Sequence, residues 1–245
     1  MRHLLPELVA LPLYPLLLAQ GRRTRRITPR LPEAVAPYDG IAGAQHAGAP
    51  LSLLTVGESP VAGVGVGTHE EAITGQFALA LARHVRRPVA WRACGKNGVT
   101  VRQAIEQVLP EVPPQSVDIA LVAFGVNDTT AFHSVARWRN DLRALLRALD
   151  ERCQPRAILL SGVPPVGAFP ALPQPLRWVM GMKARALDRA ARELARDMPR
   201  THYVALALDT SDRDMMASDG YHPSHKGCAA WAALLAEHYR SQRFA

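Results

Sequence analysis

The sequence is poor in the features that make a disulfide scaffold, a zinc protein or a membrane span. It has three cysteines in 245 residues, Cys94, Cys153 and Cys228, far apart and without a C-x-x-C pair. An odd set at such spacings reads as buried thiols in a chain that does not depend on disulfides, the usage of a reducing compartment. His222, His225 and Cys228 stand three residues apart, but no second Cys or His pair completes a zinc set, so neither metal nor cofactor is expected. No uninterrupted apolar run reaches the about 20 residues that cross a bilayer. The longest candidate, Leu4 to Ala19, is interrupted by Pro6, Pro12 and Pro15 and carries Glu7. Internal repeats and long low-complexity stretches are also missing.

Apolar residues make up 48% and charged residues 20%, the balance of a globular chain with a real core. One α/β domain can use the whole length. The net charge of +8 is unevenly placed. Residues 1–30 hold Arg2, Arg22, Arg23, Arg25, Arg26 and Arg30 against Glu7 alone, which leaves only +3 for the rest. Nucleic-acid enzymes spread basic surface over the folded domain, so no nucleic acid is expected. Basic charge beside an apolar segment favours an anionic membrane surface instead, with an Arg-rich solvated linker as the competing reading. Ala19-Gln20-Gly21 mimics a signal-peptidase site, yet four arginines follow within six residues, and such charge resists translocation. Residues 1–50 are therefore read as an N-terminal apolar and basic arm, a peripheral membrane anchor or a segment packed on the domain. The corresponding location is cytoplasmic or peripheral to the inner membrane rather than secreted.

From residue 51 apolar runs and helical patterns alternate. Leu51–Val56, Val89–Ala93, Val117–Phe124, Ala157–Leu160 and Tyr203–Leu206 read as strands. Helical periodicity marks a segment from about His69 to Pro88, where Thr68 and Glu71 fit a capping box, then Val101–Val108, Val135–Leu149, Leu176–Met198 and Ala229–Tyr239. Such alternation implies right-handed crossovers and an α/β fold of three layers: a five-stranded parallel sheet, flavodoxin-like with order 2-1-3-4-5, helices on both faces. Chemistry then belongs at the carboxyl ends of the strands.

Polar residues do follow the apolar runs. Gly57-Glu58-Ser59-Pro60 places a serine after the first strand, and Gly95 and Gly98 follow the second, where a helix start can offer bare N–H groups to an anion. Asn127 and Asp128 follow the third. Near the C-terminus, Asp219-Gly220-Tyr221-His222-Pro223 sets a carboxylate three residues before an imidazole, close enough to accept its Nδ1 proton and leave Nε2 as a base. Taken singly, each piece is as well explained by an ordinary turn.

Their joint order resembles the SGNH, or GDSL-type, hydrolase family. GESP stands for the serine block, the Gly98 region for the glycine block, Gly125-Val126-Asn127-Asp128 for GxND and Asp219-Gly220-Tyr221-His222-Pro223 for DxxHP. The likeness runs from about Leu51 to the C-terminus. It implies Ser59 as nucleophile, His222 as base and then acid, and Asp219 as the residue that orients it. The oxyanion hole it implies is the Ser59 N–H, the Gly98 N–H (preferred over Gly95, since Gly-Val-Thr fits the glycine-x-threonine step) and the Asn127 side chain. Glu58 and Pro60 replace the family's usual Asp and Leu.

Two other motifs compete. Gly63-Val64-Gly65-Val66-Gly67 lies between strand and helix but lacks the G-x-G-x-x-G spacing of a nucleotide loop, and reads better as a flexible active-site loop. No serine sits in G-x-S-x-G, which excludes the nucleophile elbow of the larger α/β hydrolases. The Pro-rich segment Gly162–Pro175 is too long for a simple turn and supplies, with its neighbour, Val166, Phe169, Leu172, Trp178, Val179, Met180 and Met182 as candidates for an apolar substrate pocket, to which Val126 is added from the GxND segment. The expected activity is cleavage of a small-molecule or lipid ester through an acyl-enzyme. An acyltransferase with the same triad, or a ligand-binding protein without catalysis, would share these residues.

Overall fold

A strand that is apolar at every position must be covered on both faces, and the sheet is built from such runs. The computed structural model describes residues 5–208 and 212–242. Its strands are β1 (Asp39–Ala42), β2 (Leu51–Gly57), β3 (Val89–Gly95), β4 (Ile119–Ala123), β5 (Ala157–Ser161) and β6 (Thr201–Val204). They lie in the order β1-β3-β2-β4-β5-β6. From β2 to β6 all neighbours are parallel, and these five strands follow the expected 2-1-3-4-5 order. The sheet nevertheless has six strands, not five. Asp39–Ala42 pairs antiparallel with β3 from within the region read as an N-terminal arm. Four residues alternating between exposed and half-buried make an edge strand too short and too polar to show as an apolar run.

The helices are α1 (Leu5–Ile27), α2 (Ile73–Val85), α3 (Val101–Gln107), α4 (Val126–Thr130), α5 (Val135–Cys153), α6 (Leu176–Asp197) and α7 (His225–Ser241). One core joins α3, α5 and α6 to one sheet face, and the other joins α2 and α7 to the opposite face. The period-2 rule sorts β4 between them: Ala120 and Val122 enter the first core, Ile119, Leu121 and Ala123 the second. On α5, Leu142, Leu145, Leu146 and Leu149 are fully buried at helical spacing, each contributing about 2 kcal/mol of hydrophobic stabilisation. The Trp138 ring is buried beside them, its Nε1–H donating to the Leu187 carbonyl at 3.0 Å and tying α5 to α6. All three cysteines are buried free thiols.

Two local expectations need correction. Thr68 and Glu71 form only half of a capping box, the Glu71 N–H reaching Thr68 Oγ1 while the Glu71 carboxylate takes the N–H of Gly67 rather than that of Thr68. They close a turn rather than a helix, because the Gly75 N–H returns to the His69 carbonyl, and α2 begins only at Ile73. The N-terminal segment, read as broken by proline, is one continuous helix across Pro12 and Pro15. Both prolines lie on its exposed side, where the unmatched carbonyls can face water. Among the described residues no helix is long and apolar enough to cross a membrane.

Candidate active site

The site forms where β2 and β4 end. The Glu58 N–H still pairs with the Ala123 carbonyl at 3.2 Å, holding the two strands together to the last residue. The chain then turns sharply: the Val61 and Ala62 N–H groups return to the Glu58 carbonyl, and the Val64 N–H to that of Ser59. This turn leaves Ser59 only 6% exposed. Ser59 lines a crevice together with Pro60, Val126, Phe169, Tyr221 and His222.

His222 is held by Asp219 through three bonds. Its Nδ1 lies 2.6 Å from Asp219 Oδ2, and the Tyr221 and His222 backbone N–H groups donate to Oδ1 at 2.9 and 3.0 Å. Burial would raise the Asp219 carboxyl, but the His222 ring and these two N–H groups prevail and hold it below the usual carboxylate range. A charged Asp219 fixes the proton on Nδ1, so Nε2 is the nitrogen available to the crevice.

Glu58 makes a second carboxylate clamp. Its Oε1 accepts the Val126 N–H at 2.8 Å, and its Oε2 accepts both the Asn127 N–H at 3.0 Å and the Asn127 side-chain Nδ2 at 2.6 Å. Glu58 is fully buried, which pushes its carboxyl up to about 7 against the pull of those donors. Asn127 Nδ2 gives its other hydrogen to the Val99 carbonyl at 3.0 Å. Asp128, the next residue, takes the Val101 N–H at the start of α3 and pairs with His133 Nδ1 at 2.8 Å. It fastens α3 to the turn carrying Asn127.

The sequence-predicted residues therefore divide. Ser59, His222, Val126 and Phe169 share the crevice, with Asp219 behind His222. Gly98 and Asn127 line an adjoining cavity with Thr130, His133 and Arg137. Gly98 has φ +78° and open space where a Cβ would stand, and its N–H, like that of Ser59, donates to no protein acceptor among the described residues. Val166 is fully buried in the core. Trp178 is 49% exposed on α6 and does not line the crevice. Both belonged to an apolar stretch whose helical and loop residues point in different directions, which sequence spacing does not reveal.

Other wall residues were missed. Tyr221 packs edge-on against both Phe169 and His222, at 5.2 and 5.3 Å between ring centres. Met215, Met216 and Trp231 complete the apolar wall. Tyr221 could have been found from its place between Asp219 and His222, and Trp231 from its position on the inner face of the last helix. The glycine-rich segment is not a loose loop: Val61 and Val64 are buried, and a Cβ on Gly65 would stand 2.7 Å from the Pro223 carbonyl and 3.3 Å from His222 Cβ. Gly65, at φ +102°, lets this segment pack directly beneath the histidine.

Residues 55–230 match the model of the GDSL-like Lipase/Acylhydrolase family. The GDSL-like esterase Rv1075c of Mycobacterium tuberculosis is 25% identical over 240 residues, covering 90% of this chain and 74% of that protein. Among solved structures, a lipase/acylhydrolase from Enterococcus faecalis superposes with a TM-score of 0.55 at 20% identity, over 78% of this chain and 96% of that one. Phospholipase A1 from Streptomyces albidoflavus gives a TM-score of 0.56 at 14% identity, over 78% and 100%. With a sheet of this order, and with the serine, glycine, GxND and DxxH segments at its carboxyl edge, the chain belongs to the GDSL-like lipase/acylhydrolase family.

Proposed function

We propose that the protein hydrolyses carboxylic esters through an acyl-enzyme on Ser59. The observation that carries this reading is the Asp219–His222 pair, gripped at 2.6 Å, whose ring faces the crevice that the buried Ser59 also lines. Ser59 Oγ attacks the acyl carbon as its proton passes to His222 Nε2. Collapse of the tetrahedral intermediate breaks the ester bond, and the leaving alkoxide takes that proton. Water, deprotonated by the same nitrogen, then attacks the acyl carbon, and Ser59 recovers its proton as the acid leaves. Among the described residues Ser59 and His222 share the crevice without a hydrogen bond between them, and a catalytic contact of this kind tightens when substrate binds.

The oxyanion is received by the unpaired N–H groups of Ser59 and Gly98 and by the Asn127 amide. Asn127 reaches it by turning the hydrogen it gives to the Val99 carbonyl, while Glu58 keeps its grip on the other. Glu58 is thus a positioning residue, acting through Asn127. The wall of Val126, Phe169, Met215, Met216 and Tyr221 suits an acyl chain of medium or long length, so the substrate class is a small-molecule or lipid ester.

A series of p-nitrophenyl esters from acetate to octanoate tests both parts. The expected result is a kcat/KM that rises with chain length, with Ser59→Ala reducing every rate by about 10⁴-fold or more. Equal rates on acetate and octanoate would remove the apolar acyl pocket. Undiminished turnover by the alanine variant would remove the serine mechanism.

A further inference from the structure

Helix α1 is built inside out. The side it turns to the domain buries Pro6, Ala10, Leu17 and Thr24, of which only Leu17 is a large apolar group. Its one carboxylate, Glu7, also points inward and pairs with Lys183, whose side chain is completely buried and whose ammonium lies 4.7 Å from the centre of the Phe132 ring. Gln20 fastens the helix to the start of α6, donating to the Gln174 carbonyl at 2.7 Å and accepting the Leu176 N–H at 3.1 Å. The charge pair is inside, and Leu5, Leu8, Leu11, Leu16 and Leu18 are outside.

The outward face changes character at one point. From Leu5 to Ala19 every exposed residue is apolar or aromatic, with Leu8 66%, Leu11 76% and Tyr14 61% exposed. From Arg22 to Arg26 the exposed residues are Arg22, Arg23, Arg25 and Arg26 without exception. A soluble domain rarely leaves a continuous row of leucines in water. A second helix could cover the leucines, but it would give no reason for four arginines to follow on the same side. A bilayer interface accounts for both: leucines among the acyl chains and, one or two turns further, guanidinium groups at the phosphates. Trp178, half exposed in the first turn of α6 that Gln20 grips, is a residue type that favours the same depth.

We propose that α1 docks the protein on the surface of an anionic lipid bilayer, its Leu5–Ala19 face buried in the interface and Arg22, Arg23 and Arg26 bound to headgroup phosphates. The helix lies flat, held in that orientation by the Glu7–Lys183 pair and the Gln20 clamp. Arg25 lines the cavity that also holds Gly98 and Asn127, so docking also brings that side of the site towards the lipid. The docking itself does not depend on the ester-hydrolase reading.

Co-sedimentation of the full chain with vesicles tests it, using phosphatidylglycerol and phosphatidylcholine in equal parts against phosphatidylcholine alone. Binding is expected to the mixed vesicles, weakened by salt. The triple change Arg22→Gln, Arg23→Gln, Arg26→Gln should lower the partition coefficient on the order of a hundredfold, at about fivefold per arginine. The change Leu8→Gln, Leu11→Gln, Leu18→Gln should abolish binding while leaving turnover of a water-soluble ester, or the circular dichroism spectrum, unchanged. No binding of the wild type to anionic vesicles would overturn the proposal, as would binding insensitive to the leucine changes. A wild-type dimer that becomes monomeric in the leucine variant and ignores vesicles would assign the face to a second copy of the chain.

Discussion

Asp219 and Glu58 are the same device in two environments. Each carboxylate grips two successive backbone N–H groups and the side chain of the second residue: Tyr221 and His222 for Asp219, Val126 and Asn127 for Glu58. Yet Asp219 is held below the usual carboxylate range, whereas Glu58 is pushed up to about 7. Burial raises both. At Asp219 the hydrogen bonds of the His222 ring and of the two backbone N–H groups offset the desolvation. At Glu58 the third donor is a neutral amide, the burial is complete and Asp128 adds a second negative charge. The comparison separates two kinds of orientation. A partner that becomes cationic keeps its carboxylate charged, and a neutral partner leaves it close to protonation at neutral pH.

Removing one clamp and then the other should show this difference, beginning with the larger loss. Asp219→Asn keeps the shape but favours the wrong imidazole tautomer, and is expected to lower kcat by about 10⁴-fold. Asn127→Ala, which removes the group on the other clamp, should cost on the order of a hundredfold in kcat with a smaller change in KM. Steady-state kinetics on p-nitrophenyl butyrate measures both. Equal losses would mean that the two clamps are not divided between base and oxyanion.

Glu58→Gln sharpens the comparison further. Only one of the glutamine's two terminal atoms accepts hydrogen bonds, so one of three donors loses its partner, and kcat should fall by roughly tenfold. Its signature is in stability. A carboxyl whose pKa rises from 4.5 unfolded to about 7 folded takes up a proton on folding between those values. Its contribution is complete below about pH 4.5 and is lost as pH rises through about 7. Wild-type protein should therefore lose about 3 kcal/mol relative to Glu58→Gln between pH 4.5 and 8, read as the difference in their denaturant midpoints. Parallel curves for the two proteins would place the Glu58 carboxyl at its ordinary value.

Much of this was legible in the chain, for local reasons. Five apolar runs gave the parallel strands and their order, because a doubly covered strand has no polar positions to hide it. Asp219 and His222 were legible because three residues of turn suffice to bring them together. The sixth strand was not, since β1 is an edge held by β3 rather than by its own pattern. Nor was the length of α1, where two prolines argue against a helix until tertiary contacts with α6 keep it. Val166 and Trp178 failed as pocket residues because which way a side chain points depends on packing that spacing does not encode. The Glu58 clamp needed the structure outright: its bonds to Val126 and Asn127 span 68 and 69 residues of chain.

The most direct test of the ester-hydrolase mechanism is labelling of the folded protein with a fluorophosphonate, the modified residue being located by peptide mass spectrometry. The expected result is a single adduct on Ser59, formed rapidly in the wild type and scarcely at all in His222→Gln. An unlabelled protein, or labelling at Ser59 that proceeds equally well without the histidine, would contradict a serine activated by His222.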